Sequence, residues 1–195
     1  MLITEFERDN RILRDQLADL LAKTWPKDYG QTAKAEVEKL LAPERIAVAA
    51  LVEDDLVGFV GAIPQYGQTG WEMHPLVVVS DFRRQKIGAR LVSFLESEIA
   101  SRGGITIYLG TDDENDETTL SQVDLYHDLF GTIAQIKNLK NHPYSFYQKM
   151  GYQITGVIPD ANGWFKPDII MAKRIGDFEE LTEAWIIHKI SGNYD

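Results

Sequence analysis

The segment from His74 to Val92, HPLVVVSDFRRQKIGARLV, holds residue types whose order could do chemistry. An apolar run reads as a strand, a short basic turn follows, and a helix begins. The first N–H groups of a helix have no partner within it and carry the positive end of its dipole, which suits a pyrophosphate. Arg83, Arg84, Lys86 and Arg90 gather positive charge there in a chain whose net charge is −10. Basic residues at a helix start oppose its dipole unless an anion is near. Gly88 removes a Cβ where a ligand must approach the backbone. Upstream, Glu72 and His74 alternate along one expected strand, so their side chains share a face. Between Arg102 and Lys137 there is no Lys or Arg, while Asp112, Asp113, Glu114, Asp116, Glu117, Asp124 and Asp128 all fall there. Such a stretch is a solvated acidic loop or a rim that draws cations to a site.

Other chemistries find no residues. There is no GxSxG elbow and no GxxxxGK[ST] phosphate loop. Counting an EF-hand frame from Asp112 puts Glu117 where glycine is needed and Val123 at the twelfth position, so that calcium loop is rejected. His74, His127, His142 and His188 form no zinc frame, and no metal is expected. The chain has no cysteine, which excludes disulfides, thiolate metal sites and thiol nucleophiles. The acidic balance, with a pI near 4.9, opposes nucleic-acid binding, which needs a surplus of Lys and Arg. MLITEFERDN lacks the apolar core of a secretory signal. The longest apolar run, Ile46 to Val52, is far short of the ~20 residues of a membrane helix. A cytoplasmic protein is expected.

The elements that must position these residues follow from periodicity. With 195 residues, 44% hydrophobic and 26% charged, the chain has the make-up of one ordered domain. Leu2 to Phe6 reads as a strand. Asn10 to Thr24 reads as a helix with Ile12, Leu13, Leu17, Leu20 and Leu21 on one face and Asp9 or Asn10 as cap. WPKDYG is turn-like, and a second helix covers Ala33 to Leu41. Arg45 to Val52 and Leu56 to Pro64 form a hairpin through Glu53-Asp54-Asp55. Trp71 to Val79 is a strand in which Pro75 marks an edge or a bulge. A long helix is expected over Arg83 to Arg102, stopped by Gly103-Gly104, then a strand over Ile105 to Leu109. A helix around Leu120 to Ile136, a short one from Pro143 to Met150, strands over Gln153 to Ile158 and Asp168 to Lys173, and a terminal amphipathic helix from Phe178 to Ile190 complete the expectation. The class is mixed α/β with a largely antiparallel front half.

Two segments together carry a family resemblance. Strand, Arg83-x-x-Lys86-x-Gly88 and helix resemble the acetyl-CoA motif of the GNAT N-acetyltransferases, R/Q-x-x-G-x-G/A, with Lys86 in place of the first glycine. NHPYSFYQKMGY, ending at Tyr152, resembles that superfamily's later signature, an Asn followed by FY-x-x-x-GY. Within the superfamily, the chain from Met1 to about Ile175 is similar to the aminoglycoside 6′-N-acetyltransferases of enterococcal type. The strings that carry this are ERIAVAA, LVGF, GAIPQYG, GWEMHPLVV, SRGGITIYLGTDD, TTLSQ and ANGWFKPDIIMAK. The resemblance implies one acetyltransferase domain over residues 1–175; the tail, 176–195, falls outside it and is expected as a helical extension from its amphipathic pattern. The resemblance further implies a mixed, mostly antiparallel sheet splayed in the middle with helices on both faces, acetyl-CoA in the splay, no metal, and a homodimer.

Residue roles follow from that resemblance. Amides of Leu76, Val77 and Val78, and the turn Arg83, Arg84, Gln85, Lys86, Ile87, Gly88 and Ala89, would hold acetyl-CoA, with Leu76 N–H facing the thioester carbonyl. Tyr147 would protonate the departing thiolate, and Asn141 would touch the cofactor. Glu72 and His74 would hold the acceptor's ammonium and accept its proton. Trp25 and Tyr66 would line the aminocyclitol pocket, and Asp112 would face the same cleft. The function implied is acetyl transfer to the 6′-amine of an aminoglycoside, a cationic small molecule that an acidic rim would attract. A GNAT enzyme acting on another cationic amine, a polyamine or a basic peptide, is the alternative; a non-catalytic CoA-binding module would have no use for Tyr147. The exposed apolar residues expected to drive dimer formation are Trp185, Ile186, Ile187 and Ile190.

Overall fold

Unbroken buried runs over residues 46–51 and 56–62 make both faces of the sheet dry there, and helices cover them. In the computed structural model, which describes residues 1–176, strand β1 (Leu2–Glu5) leads into helix α1 (Arg11–Thr24). Asn10 caps α1 by accepting from the N–H groups of Ile12 and Leu13 at 3.1 and 3.2 Å. Leu13, Leu17, Leu20 and Leu21 form its buried stripe, but Ile12, expected there, is 70% exposed. The expected turn at WPKDYG is instead a one-turn helix, α2 (Pro26–Tyr29), with Pro26 at its first position, where a missing N–H costs nothing. Helix α3 (Ala33–Leu40) follows. Strands β2 (Ile46–Val52) and β3 (Asp55–Gln65) form the expected hairpin, and β4 is Gly70–Val78.

The expected long helix begins later than Arg83. Arg84 and Lys86 have φ of 61° and 62°, a left-handed backbone that cannot continue a right-handed helix. Helix α4 therefore runs Ile87–Ser101. Strand β5 (Thr106–Asp112) is longer than expected and carries Asp112 as its last residue. The helix expected over Leu120 to Ile136 shrinks to α5 (Leu129–Ala134). Short polar side chains there bind local backbone in place of helical turns: Asp124 accepts from Tyr126 N–H and Asp128 from Gly131 N–H. Helix α6 (Tyr144–Lys149) and strands β6 (Gln153–Ile158) and β7 (Asp168–Arg174) finish the described chain. The expected terminal helix, with Trp185, Ile186, Ile187 and Ile190, lies outside the described residues.

The sheet order is β1-β2-β3-β4-β5-β7-β6, antiparallel except for β4 and β5. That parallel pair meets only through Gly70, Trp71 and Glu72 against Thr106, Ile107 and Tyr108. On one face α4 buries Leu91, Leu95 and Ile99 with Val48, Val60, Ile107, Leu109 and Met171. On the other, α1 and α3 bury Leu17, Leu21 and Leu40 with Ala49 and Phe59. Among the described residues, the second helical layer covers β1 to β4 and not the same face of β5 and β7.

The acidic stretch after β5 is organised from within. Asp113 is 0% exposed and accepts from the N–H groups of Glu117 and Thr118 at 2.6 and 2.9 Å, from Thr118 Oγ1 at 2.7 Å, and from Ser121 Oγ. Asp116 pairs with Lys166. Asp113, Asp116, Asp124 and Asp128 thus build the loop, and Asp112 ends on the open face. Burial pushes the Asp113 carboxyl up, but the hydrogen bonds from Ser121, Glu117 and Thr118 overcome it and hold the group below its usual 3.8. A carboxylate held low stabilises the fold above its unfolded pKa, and that stability is lost as pH falls through the folded value. Asp113→Ala leaves several donors unpaired, so the unfolding free energy in urea should drop by about 3 kcal/mol at pH 7. The gap from wild type should narrow as pH falls below 3.8; a neutral-pH loss under about 1 kcal/mol would refute this role.

Candidate active site

The strands that should meet at the centre of the sheet part after three residues, and a bulge explains why. Val60 pairs with Leu76 and Ala62 with Met73, so His74 and Pro75 both stand opposite Gly61. A Cβ on Gly61 would come within 2.6 Å of His74 O, which makes glycine the residue that admits the bulge. The extra residue reverses the alternation of β4. Trp71 and Met73 enter the core beneath α4, whereas Val77 enters the core beneath α1. Glu72 and His74 consequently face the α1–α2 side, and Leu76 and Val78 the α4 side. Val79 N–H bonds to Val57 O at 2.9 Å, so by antiparallel alternation Val77 also directs its N–H to β3. The amides of Leu76 and Val78 point into the gap, and that of Val77, expected with them, does not.

On the α1–α2 side the polar residues form a strip. Trp25 links α1 to α2 and meets Tyr29 edge-on at 5.8 Å. Tyr29 Oη lies 3.1 Å from His74 Nε2, which fixes the imidazole from the helical side. Glu72 Oε2 accepts from Gln65 Nε2 at 3.3 Å, with Tyr108 Oη at 3.5 Å. Tyr66, 82% exposed, leans on the Tyr108 ring at 6.4 Å. Asp112 stands at the end of β5, its Oδ1 accepting from Asn162 Nδ2 at 2.6 Å. Opposite it in register is Asp168 on β7. Burial, Asp112 and Glu72 push the Asp168 carboxyl up to about 6, against the pull of the Thr111 N–H. Trp25, Tyr66, Glu72, His74 and Asp112 are thus brought to one face. Tyr29, Gln65, Tyr108 and Asp168 were not expected there.

On the α4 side the chain offers unpaired N–H groups. Ser80–Phe82 forms a single 3₁₀ turn, and Arg83 Nε donates to Val78 O at 3.0 Å. Gln85 donates to Asp81 O. Lys86 sits at the N-cap of α4 with no side-chain cap, and Arg90 N–H is the first to find a helical carbonyl, that of Lys86. Ile87 is buried and anchors this start, leaving the amides of Ile87, Gly88 and Ala89 outward. A Cβ on Gly88 would approach nothing closer than Phe146 Cζ, at 3.6 Å. The protein itself does not require that glycine, and the space suits a bound group. Lys86 shows how the motif survives without its first glycine, since it adopts the left-handed backbone glycine would supply.

Helix α6 brings Tyr147 beside this start. Its ring meets Phe146 at 5.0 Å and Tyr152 at 5.7 Å. Burial pushes its phenol well above the usual tyrosine value, so it stays protonated throughout the neutral range. Asn141 is exposed at φ 65°; the amide that organises this loop is Asn138, which bonds His142 N–H, His142 O and Ser145 Oγ. His142 is 1% exposed. Its Nδ1 accepts from Tyr144 N–H at 3.2 Å, so Nε2 carries the proton and donates to Asp112 O at 3.0 Å. This bond ties α6 to the end of β5. A gap with a carboxylate and an imidazole on one side, and outward amides with a protonated phenol on the other, can join an amine to an anionic acyl carrier.

A family model described as the acetyltransferase (GNAT) family matches residues 14–131. The structure is similar to that of an aminoglycoside 6′-N-acetyltransferase complexed with coenzyme A, at 63% identity, covering 90% of this chain and 97% of that one, with a TM-score of 0.89. It is similar at 63% identity and the same coverage to the aminoglycoside 6′-N-acetyltransferase from Enterococcus faecium, with a TM-score of 0.87. The ribosomal-protein-S18-alanine N-acetyltransferase from Escherichia coli shares the fold, at 16% identity over 90% of this chain and 94% of that one and a TM-score of 0.60. No curated protein matches the chain in the sequence comparison.

The basic turn can be tested with the expected cosubstrate. Arg83→Ala should raise the Kd for acetyl-CoA about three- to tenfold, the range of one exposed charged contact. Acetyl-pantetheine, which lacks the phosphates, should respond by less than about twofold in the same titration. Equal losses for both ligands would show that Arg83 acts only by holding Val78 O.

Proposed function

Since the chain belongs to the acetyltransferase (GNAT) family, we propose that it transfers the acetyl group of acetyl-CoA to the 6′-amine of aminoglycosides, an antibiotic-resistance activity. The observation that carries this is the 63% identity to aminoglycoside 6′-N-acetyltransferases over 90% of the chain, joined to an acidic and aromatic face on the acceptor side of the gap. Kanamycin-dependent thiol release from acetyl-CoA tests it directly; no release above the acceptor-free rate would overturn it.

When bound, acetyl-CoA supplies a thioester, an activated acetyl group on a thiolate leaving group. The outward amides at the start of α4, with Arg83 and Lys86, hold phosphate oxygens by backbone donors and charge. Leu76 and Val78 direct amides into the gap, where Leu76 N–H donates to the acyl carbonyl. An ammonium has no free electron pair, so the acceptor must lose a proton before it can attack. Glu72 binds the ammonium, and His74, oriented by Tyr29, accepts its proton directly or through water. Tyr147 Oη holds a proton for the departing sulfur, a task that suits a phenol whose burial keeps it protonated. Trp25 and Tyr66 offer apolar faces to the sugar rings, and Asp112 adds negative charge at the far edge.

The assembly and location follow from the same reading. No helix among the described residues is long and apolar enough to cross a membrane, and acetyl-CoA is a metabolite of the cytoplasm, where we place the protein. We propose a homodimer. Among the described residues strand β6 is a sheet edge, and Ile158, Trp164 and Phe165 near it are exposed, a combination that an identical partner would cover.

Tyr147→Phe should fold, bind acetyl-CoA, and lose about 10²–10⁴-fold in single-turnover rate. An unchanged rate would remove Tyr147 from the proton transfer. Light scattering at micromolar concentration should return twice the 22.1 kDa chain mass; a monomer mass would refute the dimer.

A further inference from the structure

Tyr147 is aimed without a hydrogen bond. Among the described residues no group bonds its Oη, and the helix that carries it, α6, has six residues. A helix so short is not stable alone and holds its place by tertiary packing. At its front, His142 bonds Asp112 O and Asn138 bonds Ser145 Oγ. At its back the chain turns through Gly151, with φ of 90°, and Tyr152 N–H returns to Tyr147 O at 3.0 Å. Tyr152 is thus fixed to the backbone of Tyr147. Its ring also meets the Tyr147 ring, at 5.7 Å and 67°.

Tyr152 is itself held from behind. It is buried in the core beneath α4. Lys173 follows Met171 by two residues on β7 and so shares the face turned to α4. Its Nζ stands over the Tyr152 ring, 5.7 Å from the centre, and pairs with Glu96 Oε2 of α4 at 2.7 Å. Strand β7, helix α4 and the end of α6 therefore converge on one ring. Phe146 braces α6 a second time, at the start of α4, since its ring is what a Cβ on Gly88 would meet. From residue 88 to residue 96, α4 rises about 12 Å, so the two braces are well separated. The Tyr152 hydroxyl adds no bond to either: Oη is shielded and unpaired, as is Glu96 Oε1. The ring is the part that touches Tyr147.

The fold could fill this place with an aliphatic side chain, but such a chain has no face for a cation and no edge for a second ring. Proton transfer is more exacting. It requires hydrogen-bond reach between donor and acceptor, and a displacement of about 1 Å can cost about a hundredfold in rate. We propose that Tyr152, clamped by the Glu96–Lys173 pair, is the positioning residue of the general acid, its ring setting where Tyr147 Oη stands toward the departing sulfur. The inference rests on the acetyl-transfer reading above and extends it to residues that touch neither substrate.

A double-mutant cycle separates aiming from support. Single-turnover acetyl transfer to kanamycin by Tyr152→Leu should fall about ten- to a hundredfold, with the Kd for acetyl-CoA within about twofold of wild type. In a Tyr147→Phe background no proton is left to aim, and the same substitution should cost less than about twofold. Tyr152→Phe restores the ring and should recover the wild-type rate. Equal losses in the two backgrounds would mean that Tyr152 only supports the fold, and Tyr152→Phe as slow as Tyr152→Leu would mean that the hydroxyl acts; either overturns the proposal. If Tyr152→Leu does not fold, Glu96→Gln with Lys173→Met takes its place, keeping both stems and the net charge. That pair should lose about threefold and should be silent beside Tyr147→Phe, with equal losses again overturning the proposal. A wild-type rate in Tyr147→Phe overturns the acid and the positioning together, whereas slow Tyr147→Phe beside wild-type Tyr152→Leu overturns the positioning alone. Wild-type protein that acetylates no kanamycin overturns the acceptor reading, and the aim of Tyr147 is then read by fluorine NMR with 3-fluorotyrosine in its place. Tyr152→Leu should shift or broaden that line and Tyr152→Phe should not; an unchanged line in Tyr152→Leu overturns the positioning.

Discussion

Everything in the site depends on β4 failing to pair. A central strand normally satisfies both edges, and β4 does so only as far as Glu72. Beyond it, the bulge at His74 and Pro75 bends the strand, and the edge that would meet β5 is left with open amides. The same extra residue inverts which face each side chain sees. Without it, Glu72 and His74 would lie on the face that also carries Leu76 and Val78. With it, the two pairs lie on opposite faces of the opening. One residue of irregularity thus creates the slot and gives it two distinct sides.

The two sides are electrically unlike. Unpaired amides, Arg83 and Lys86 make one positive, and Glu72, Asp112 and Asp168 make the other negative, within a chain of net charge −10. An anion and a cation are therefore drawn to different faces of one opening and meet across it. The uncapped start of α4 and the unpaired Oδ1 of Asp168 would each cost stability in a protein with no ligand.

The parts of this arrangement that local sequence dictates were legible. The basic turn, its glycine at 88 and the bulge at Pro75 announce themselves within a few residues, because backbone preference and charge act over that range. The Asn10 cap and the leucine stripe of α1 are of the same kind. The start of α4 was misread because Arg84 and Lys86 are poor candidates for a left-handed backbone, and only the turn as a whole imposes it. Tyr108 and Asp168 could not be found, since they join the site through strand pairing between residues far apart in sequence. Asp113 and Asp112 are adjacent and identical in type, yet one is a buried hub and the other an exposed edge. The alternation of a strand longer than its apolar run decides between them.

The bond from His142 to the last carbonyl of β5 closes a long excursion of the chain. Residues 113 to 141 leave the sheet and return to within one hydrogen bond of where they left. The closure entropy of such a segment grows only slowly with its length, and its ends are already clamped. Within it, Asp113 with Thr118 and Ser121, Asp116 and Asn138 fix the turns, and Leu120 and Leu125 reach the core; the exposed stretches between those anchors carry fewer constraints. The excursion is thus a cassette set between β5 and α6, a place where insertions and deletions can accumulate without moving Asp112 or Tyr147. Diversification of this scaffold has room there that the sheet, with both sides of its slot occupied, does not offer.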